Sequence, residues 1–399
     1  MKFRPPDLRM RLLPPALVLL AACEAAEGPD AAERGSVPLG WEVTEVVRIG
    51  SVDGPPEYTL NRVRGLVADD RDRVFVLDQG DQVVRRYDPE GRHELTFGGA
   101  GEGPGEFSVP LALAVAGDSV VAYDQVLQRL TYFGPDGEVL RTVPVGINPV
   151  GEGIAQALHR TARGWVFVMA TGCRFPRPED PRPRWRLLLV EDEGEPDVIA
   201  DEVARDQMAV YGEPGCTSLP ALAGPSYSVA FDGEGRMYRG DGERYEIRVT
   251  ELGGEGEPAQ GSVVVRVVGR EARPLELSPG RVEGYERESL ESGGLPSNPH
   301  LADRVREVWD SVGYPAHWPY FDELHLDRRG FLWVGRPAVE PGAPRDWDVF
   351  SPEGEYLGTL ELPGDLDVMA ITDRRVWGRV RDDLDVEYVV GLEVGGRPE

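Results

Sequence analysis

The sequence predicts an all-β fold, a six-bladed β-propeller, from three observations: a four-stranded meander that recurs, a last unit one strand short, and a lone strand ahead of the first unit. The clearest copies are GLVADDRDRVFVLDQGDQVVRRYDPEGRHELTFGG (65–99) and LALAVAGDSVVAYDQVLQRLTYFGPDGEVLRTVPV (111–145). Each reads as an apolar strand, a tight turn, an apolar strand ending in Asp, a polar turn, a strand, a turn with Gly, and a strand.

Taken in order, the chain begins with Lys2, Arg4, Arg9 and Arg11 ahead of LLPPALVLLAA. That apolar run is shorter than the roughly 20 residues a spanning helix needs, so residues 1–22 read as an export signal that is removed. LAAC, ending in Cys23, resembles the bacterial lipobox. The resemblance implies a lipidated Cys23 at the start of the mature chain, and a protein held at a membrane by that lipid alone, facing the periplasm or the exterior. Residues 23–40 are rich in Ala, Glu, Gly and Pro, have little to bury, and read as a disordered tether.

WEVTEVVRIG (41–50) is a strand with no partner in its own neighbourhood. The third to fifth units are looser but keep the order: QALHRTARGWVFVMA with RWRLLLVEDEGEPDVIADEV, YSVAFDGEGRMYRGDGERYEIRVTELGG with SVVVRVVG, and FDELHLDRRGFLWVGRP with DWDVFSPEGEYLGTLELPG. LDVMAITDRRVWGRVRDDLDVEYVVGLEV shows only three strands. The strand at 41–50 supplies the fourth, which closes the ring over 41–394, leaves no open edge, and makes 395–399 a tail. Trp165, Phe231, Phe331, Trp333 and Trp377 are expected to pack between blades. The glycine-rich FGGAGEGPGEF (97–107) fits neither a dinucleotide fingerprint nor a P-loop, since its glycine spacing is wrong and Lys2 is the chain's single lysine. It reads as the seam between the first two blades.

With the repeat in hand, GEGPGEFSVP together with GDSVVAYDQVLQRLTYFGPDGEVL resembles NHL-type repeats and the exported bacterial six-bladed propellers similar to them. The resemblance implies a binding or scaffold module. Some propeller relatives are sugar lactonases or peptide-end lyases with a metal in the axial channel, so the fold alone does not decide function.

Composition narrows the choice. With 43 basic and 70 acidic residues, the net charge of −27 repels nucleic acid and anionic lipid. None of the five histidines lies in H-E-x-x-H, and G-x-S-x-G is absent. His159 and His325 hold similar places on the inner strands of blades three and five, where packing between blades is the simpler role and a channel metal the other. No cofactor is expected, a metal such as calcium being the alternative. Cys173 and Cys216 are a disulfide candidate in an oxidising compartment.

Strands lettered A to D from the axis outward put A–B and C–D turns on one face and B–C and D–A connections on the other. Turns on the first face are short except GGEGEPAQG (253–261), whereas the long segments 171–184, 204–226, 270–320 and 336–345 fall on the second face, which favours function over drift. Ser278 with Pro279 caps a helix to about Ser292, and Asn298 with Pro299 starts another in which Leu301, Val305, Val308 and Val312 recur at helical spacing. This helical insertion is a lid or a brace. Tyr314, Trp318 and Tyr320 are ligand-contact candidates. Arg64, Asp78, Asp124, Asp241, Arg336 and Arg379 stand near the rim ends of strands and form a polar mouth, unless Asp78 and Asp124 only tie off turns. The sequence therefore predicts a lipid-anchored, monomeric propeller that binds a protein or small molecule on the long-loop face; a channel-site hydrolase or lyase, metal-assisted or not, is the alternative.

Overall fold

The computed structural model describes residues 38–147, 153–171, 183–191, 196–212, 215–252, 263–291 and 299–397. Six antiparallel four-stranded sheets are present. Blade one has strands Val63–Ala68, Val74–Asp78, Val83–Tyr87 and His93–Gly98; blade two Pro110–Ala116, Ser119–Asp124, Arg129–Phe133 and Val139–Pro144. Blade three has Ile154–Arg160, Trp165–Ala170, Arg184–Val190 and Asp197–Val203; blade four Ser228–Phe231, Met237–Gly240, Glu246–Glu251 and Val263–Gly269. Blade five has Glu323–Leu326, Leu332–Gly335, Arg345–Phe350 and Tyr356–Leu362. Blade six has Asp367–Ile371, Arg375–Arg381 and Glu387–Gly395, and its outer strand is Glu42–Ile49, paired from Glu42 opposite Gly395 to Ile49 opposite Val389.

The meander repeats because its turns repeat. Asp69, Asp88, Asp232 and Asp327 each open a hairpin and accept the amides two and four residues on, at 2.8–3.1 Å. The residue three after each Asp takes positive φ: Asp72, Gly91, Gly235 and Gly330, at 62°, 80°, 83° and 83°. A left-handed position in a bulged hairpin loop is what Gly tolerates at least cost, which accounts for DPEG, DGEG and DRRG in the sequence.

Six apolar clusters fill the six interfaces between neighbouring blades, the one between blades six and one included. In that last interface Val47, Ile49, Val63, Tyr87 and Trp377 pack together. Polar bonds span it too: the Val63 amide donates to Glu387 Oε2 at 2.5 Å, and Arg379 Nη1 donates to the Val63 carbonyl at 2.7 Å. The ring is closed by the first strand, as the sequence predicts.

Three details depart from the sequence reading. Segment 204–226 is not merely a loop but contains a hairpin, Gln207–Gly212 with Gly215–Pro220. The predicted tail is partly docked: Arg397 pairs with the buried Asp327, donates to the Thr372 carbonyl at 2.9 Å and lies over the Trp333 ring. Phe231 packs beside the blade three and four interface but also borders the axis, its ring 4.9 Å from that of His159. The signal, Cys23, most of the tether and Cys173 lie outside the described residues, as does the side chain of Cys216, so their pairing does as well.

Candidate functional site

The long-loop insertions come together. The hairpin at 207–220 and two helices, α1 (Pro279–Glu291) and α2 (Pro299–Val312), enclose a separate apolar cluster of Val210, Leu222, Tyr285, Val305, Trp309 and Trp318. Val339, from the B–C loop of blade five, packs against it. Both helices have Pro at the first position, and Ser278 Oγ accepts the Arg281 amide at 3.3 Å as predicted, while Asn298 lies outside the described residues. Of the four residues predicted to form a stripe on α2, Val305 is buried and Leu301 and Val308 pack against the cluster, whereas Val312 is 67 % exposed. Short extended segments seat the helices: the Leu277 amide donates to the Ala316 carbonyl at 3.0 Å and the Trp318 amide to the Leu275 carbonyl at 2.8 Å. Segments from three connections thus form one cap on the rim above blades three to five.

Truncating its centre tests whether the cap is a separate unit. Trp309→Ala is expected to cost about 3–5 kcal/mol within the cap, seen as faster amide exchange over 207–220 and 279–312 with blades one, two and six unchanged. Uniform protection loss around the ring would show that cap and ring unfold as one.

At the centre of the ring the inner strands of blades one, two and three, with Phe231 of blade four and Met369 of blade six, line an open cavity of about 420 Å³. Its walls include Val67, Leu111, Leu113 and Leu158, and its polar groups include Arg64, Gln156 and His159. Arg64 stands at the end of the cavity nearest the long-loop rim. Its Nη2 donates to the Ala155 carbonyl at 3.2 Å and to Gln156 Oε1 at 3.1 Å, so it reaches from blade one to blade three. Burial, and next the charge of Arg379, hold its pKa below the usual arginine value. Towards the other face, burial and the nearby charge of His325 push His159 down to about 4.

His159 gives the protein a pH signature. A histidine whose folded pKa is depressed binds its proton more readily in the unfolded chain, so the stability it contributes is full above about pH 6.5 and is lost as pH falls towards 4. His159→Asn is expected to remove roughly 1–2 kcal/mol of that loss, measured by urea unfolding between pH 7 and 4.5. Asp322 opposes it: burial pushes its carboxyl up to about 6, so its part of the stability falls as pH rises towards that value. An unchanged pH slope in the His159 variant would remove the histidine from the account.

Blade five carries a charged cluster that the sequence does not announce. His325 Nε2 lies 2.7 Å from Glu323 Oε1, and Arg345 Nη1 donates to Glu323 Oε2 at 2.5 Å while its other arm pairs with Asp322. Burial raises the Glu323 carboxyl, but the His325 and Arg345 partners outweigh it and hold the pKa below the usual value. The four acids and bases come from strands A and C and from the residue before strand A, so no local motif links them. Among the described residues no group of three or more His, Cys, Asp and Glu side chains is arranged to hold a metal ion.

The predicted site residues divide into several sets. Asp124 is buried, with one oxygen on the Ser108 and Val109 amides (2.7 and 2.9 Å) and the other on those of Val126 and Leu127 (3.0 and 2.8 Å). Asp78 is likewise buried, taking the amides of Asn61 and Asp81 and pairing with Arg85. Both tie off B–C turns. Trp318 is 8 % exposed in the cap core, and Tyr314 donates to Glu286 Oε1 at 3.1 Å against Tyr285. Tyr320 lies beside Tyr245 under the cap, and Arg336 is buried against Asp346 at 3.3 Å. Asp241 lines a separate groove of about 500 Å³ with Arg205, Arg239, Arg244, Glu202 and Glu243. Arg379 pairs with Asp367 at 2.6 Å and Glu387 at 3.2 Å. Only Arg64 of the predicted set lines the axial cavity.

Comparison with known proteins leaves the fold to rest on the chain's own strand pairing. No protein-family model and no curated protein matches it. Solved structures similar to it include a member of the DUF4221 family from Bacteroides vulgatus, 10% identical with a TM-score of 0.49, covering 90% of this chain and 99% of that one. A gluconolactonase from Xanthomonas campestris is 14% identical with a TM-score of 0.42, covering 90% and 92%. A catalytically inactive virginiamycin B lyase from Staphylococcus aureus, solved with quinupristin, is 9% identical with a TM-score of 0.44, covering 88% and 99%. At this distance neither enzyme's chemistry transfers, and the chain is a six-bladed β-propeller by its own six sheets and their closure.

Proposed function

We propose that the protein is an exported, lipid-anchored six-bladed propeller that binds a protein or small-molecule partner on the face carrying the long loops. The observation that carries this reading is the cap: three connections on one rim converge on a shared apolar cluster, while the described A–B turns on the opposite face, such as Gly117 and Thr161 to Gly164, are short. Drift on a tolerant surface supplies no reason for separate insertions to fold against one another. Export and lipidation rest on residues 2–23 alone; a Cys23→Ser variant is expected to move from the membrane to the soluble fraction.

A thermal-shift screen of residues 38–399 against peptides, sugars, lactones and divalent metals tests the binding role, because a ligand of the native state raises its melting temperature. Hits are expected with the intact protein and lost when 270–320 is replaced by a short Gly-Ser link. Hits that survive that replacement, or substrate turnover in the axial cavity, overturn the reading.

A further inference from the structure

We propose that the axial cavity is a receptor for a small organic monocarboxylate, with Arg64 taking the carboxylate and the apolar walls taking the hydrocarbon body. This goes beyond the loop-face reading above and stands on the axial cavity, whose Arg64 end is the one nearest the long-loop rim.

Charge favours an anionic ligand at Arg64. The protein carries 70 acidic residues against 43 basic ones, and several buried or half-buried arginines have a carboxylate: Arg85 has Asp78, Arg270 has Asp348, Arg345 has Glu323, Arg379 has Asp367 and Glu387. Arg64 has none among the described residues; its partners are a carbonyl and an amide oxygen. It is half-buried beside Arg379, and both burial and that neighbour disfavour its charge. Asp367 is the acid that offsets them, and it is already bonded to Arg379. A guanidinium held this way gains a charge-assisted, two-pronged bond when a carboxylate arrives.

The shape of the cavity favours an elongated ligand. From Arg64 to Val67 the inner strand advances three residues, roughly 10 Å at about 3.3 Å each, along the walls formed by Leu111, Leu113, Leu158, Phe231 and Met369. The far end carries no competing fixed charge from His159, which is neutral at neutral pH. Arg160 and Asp232, which also border the cavity, are engaged elsewhere, over the Trp165 ring and with Arg236. Arg64 at one end and apolar side chains among the lining match an elongated organic anion.

Calorimetric titration of residues 38–399 with octanoate and with its neutral analogue octanamide provides the test. Octanoate is expected to bind at least tenfold more tightly than octanamide. Arg64→Met should weaken octanoate roughly 10–100-fold and leave octanamide unchanged, while Arg64→Lys recovers part of the loss. Equal binding of the two probes, no binding of either, or an unaltered octanoate affinity in Arg64→Met overturns the assignment. The comparison within the unaltered protein stands even if a variant fails to fold. The cap replacement separates the two readings: a screened partner that needs the cap but ignores Arg64→Met leaves loop-face binding standing and removes the carboxylate site. Octanoate binding that needs Arg64 but survives loss of the cap supports the carboxylate site and counts against the loop face.

Discussion

Deleting the chain through Gly50 is expected to abolish cooperative folding, although it removes no residue from blades one to five. The first strand contributes Val47 and Ile49 to the blade six and one interface, 5 % and 0 % exposed. Each is worth about 1.5–3 kcal/mol when fully buried, and the paired backbone from Glu42 to Ile49 would leave the strand Glu387–Gly395 as a bare edge. Trp41, 5.9 Å from Trp333, and the Leu39 amide, which donates to the Thr359 carbonyl at 2.9 Å, add to the loss. Together these take a large part of a total that for most domains is about 5–15 kcal/mol. Circular dichroism melts of 38–399 and 51–399 make the comparison, and a peptide of residues 38–50 added in trans should restore part of the transition. If the shorter chain melts within a few degrees of the longer one, closure by the first strand is not what holds the ring.

The ring was legible in the sequence because its signals are local or counted. Asp with Gly, or in one case Asp72, three residues on marks a hairpin by backbone chemistry alone, and a last unit short of a strand demands one from elsewhere. The helices were legible for the same reason, from Ser278, Pro279 and Pro299. The hairpin at 207–220 was not, because its strands carry Gly212, Gly215 and Pro220 at their ends and pair with no blade. The site was less legible still. Arg64 is one of 42 arginines, and only three-dimensional pairing shows that it lacks a carboxylate. Asp78 and Asp124 look much the same in sequence as ligand-facing acids at a rim, yet their oxygens are taken by turn amides.

Asp348→Ala is expected to destabilise the protein by about 3–5 kcal/mol, because it strands a buried arginine. Asp348 is fully buried on the third strand of blade five and accepts from Tyr245, from Thr359 and from Arg270 Nε, the last at 2.9 Å. Burial, with Asp348 adding to it, pushes the Tyr245 hydroxyl far above its usual pKa, so it remains a donor throughout the accessible pH range. The Arg270 guanidinium lies over the Tyr245 and Tyr356 rings, 5.2 and 4.9 Å from their centres. Arg270 is also the first residue of the insertion that leads to the two helices, directly after the outer strand of blade four ends at Gly269. One carboxylate therefore joins blade four, blade five and the root of the cap, and its loss should loosen the cap before the ring. Amide exchange in α1 and α2 is expected to rise at denaturant concentrations where blades one and two are still protected. Asp348→Asn, which keeps the acceptor but not the charge, should lose less than the alanine variant. An alanine variant within about 1 kcal/mol of the parent would mean that Arg270 finds water on its own, and that the cap stands on its apolar cluster without this anchor.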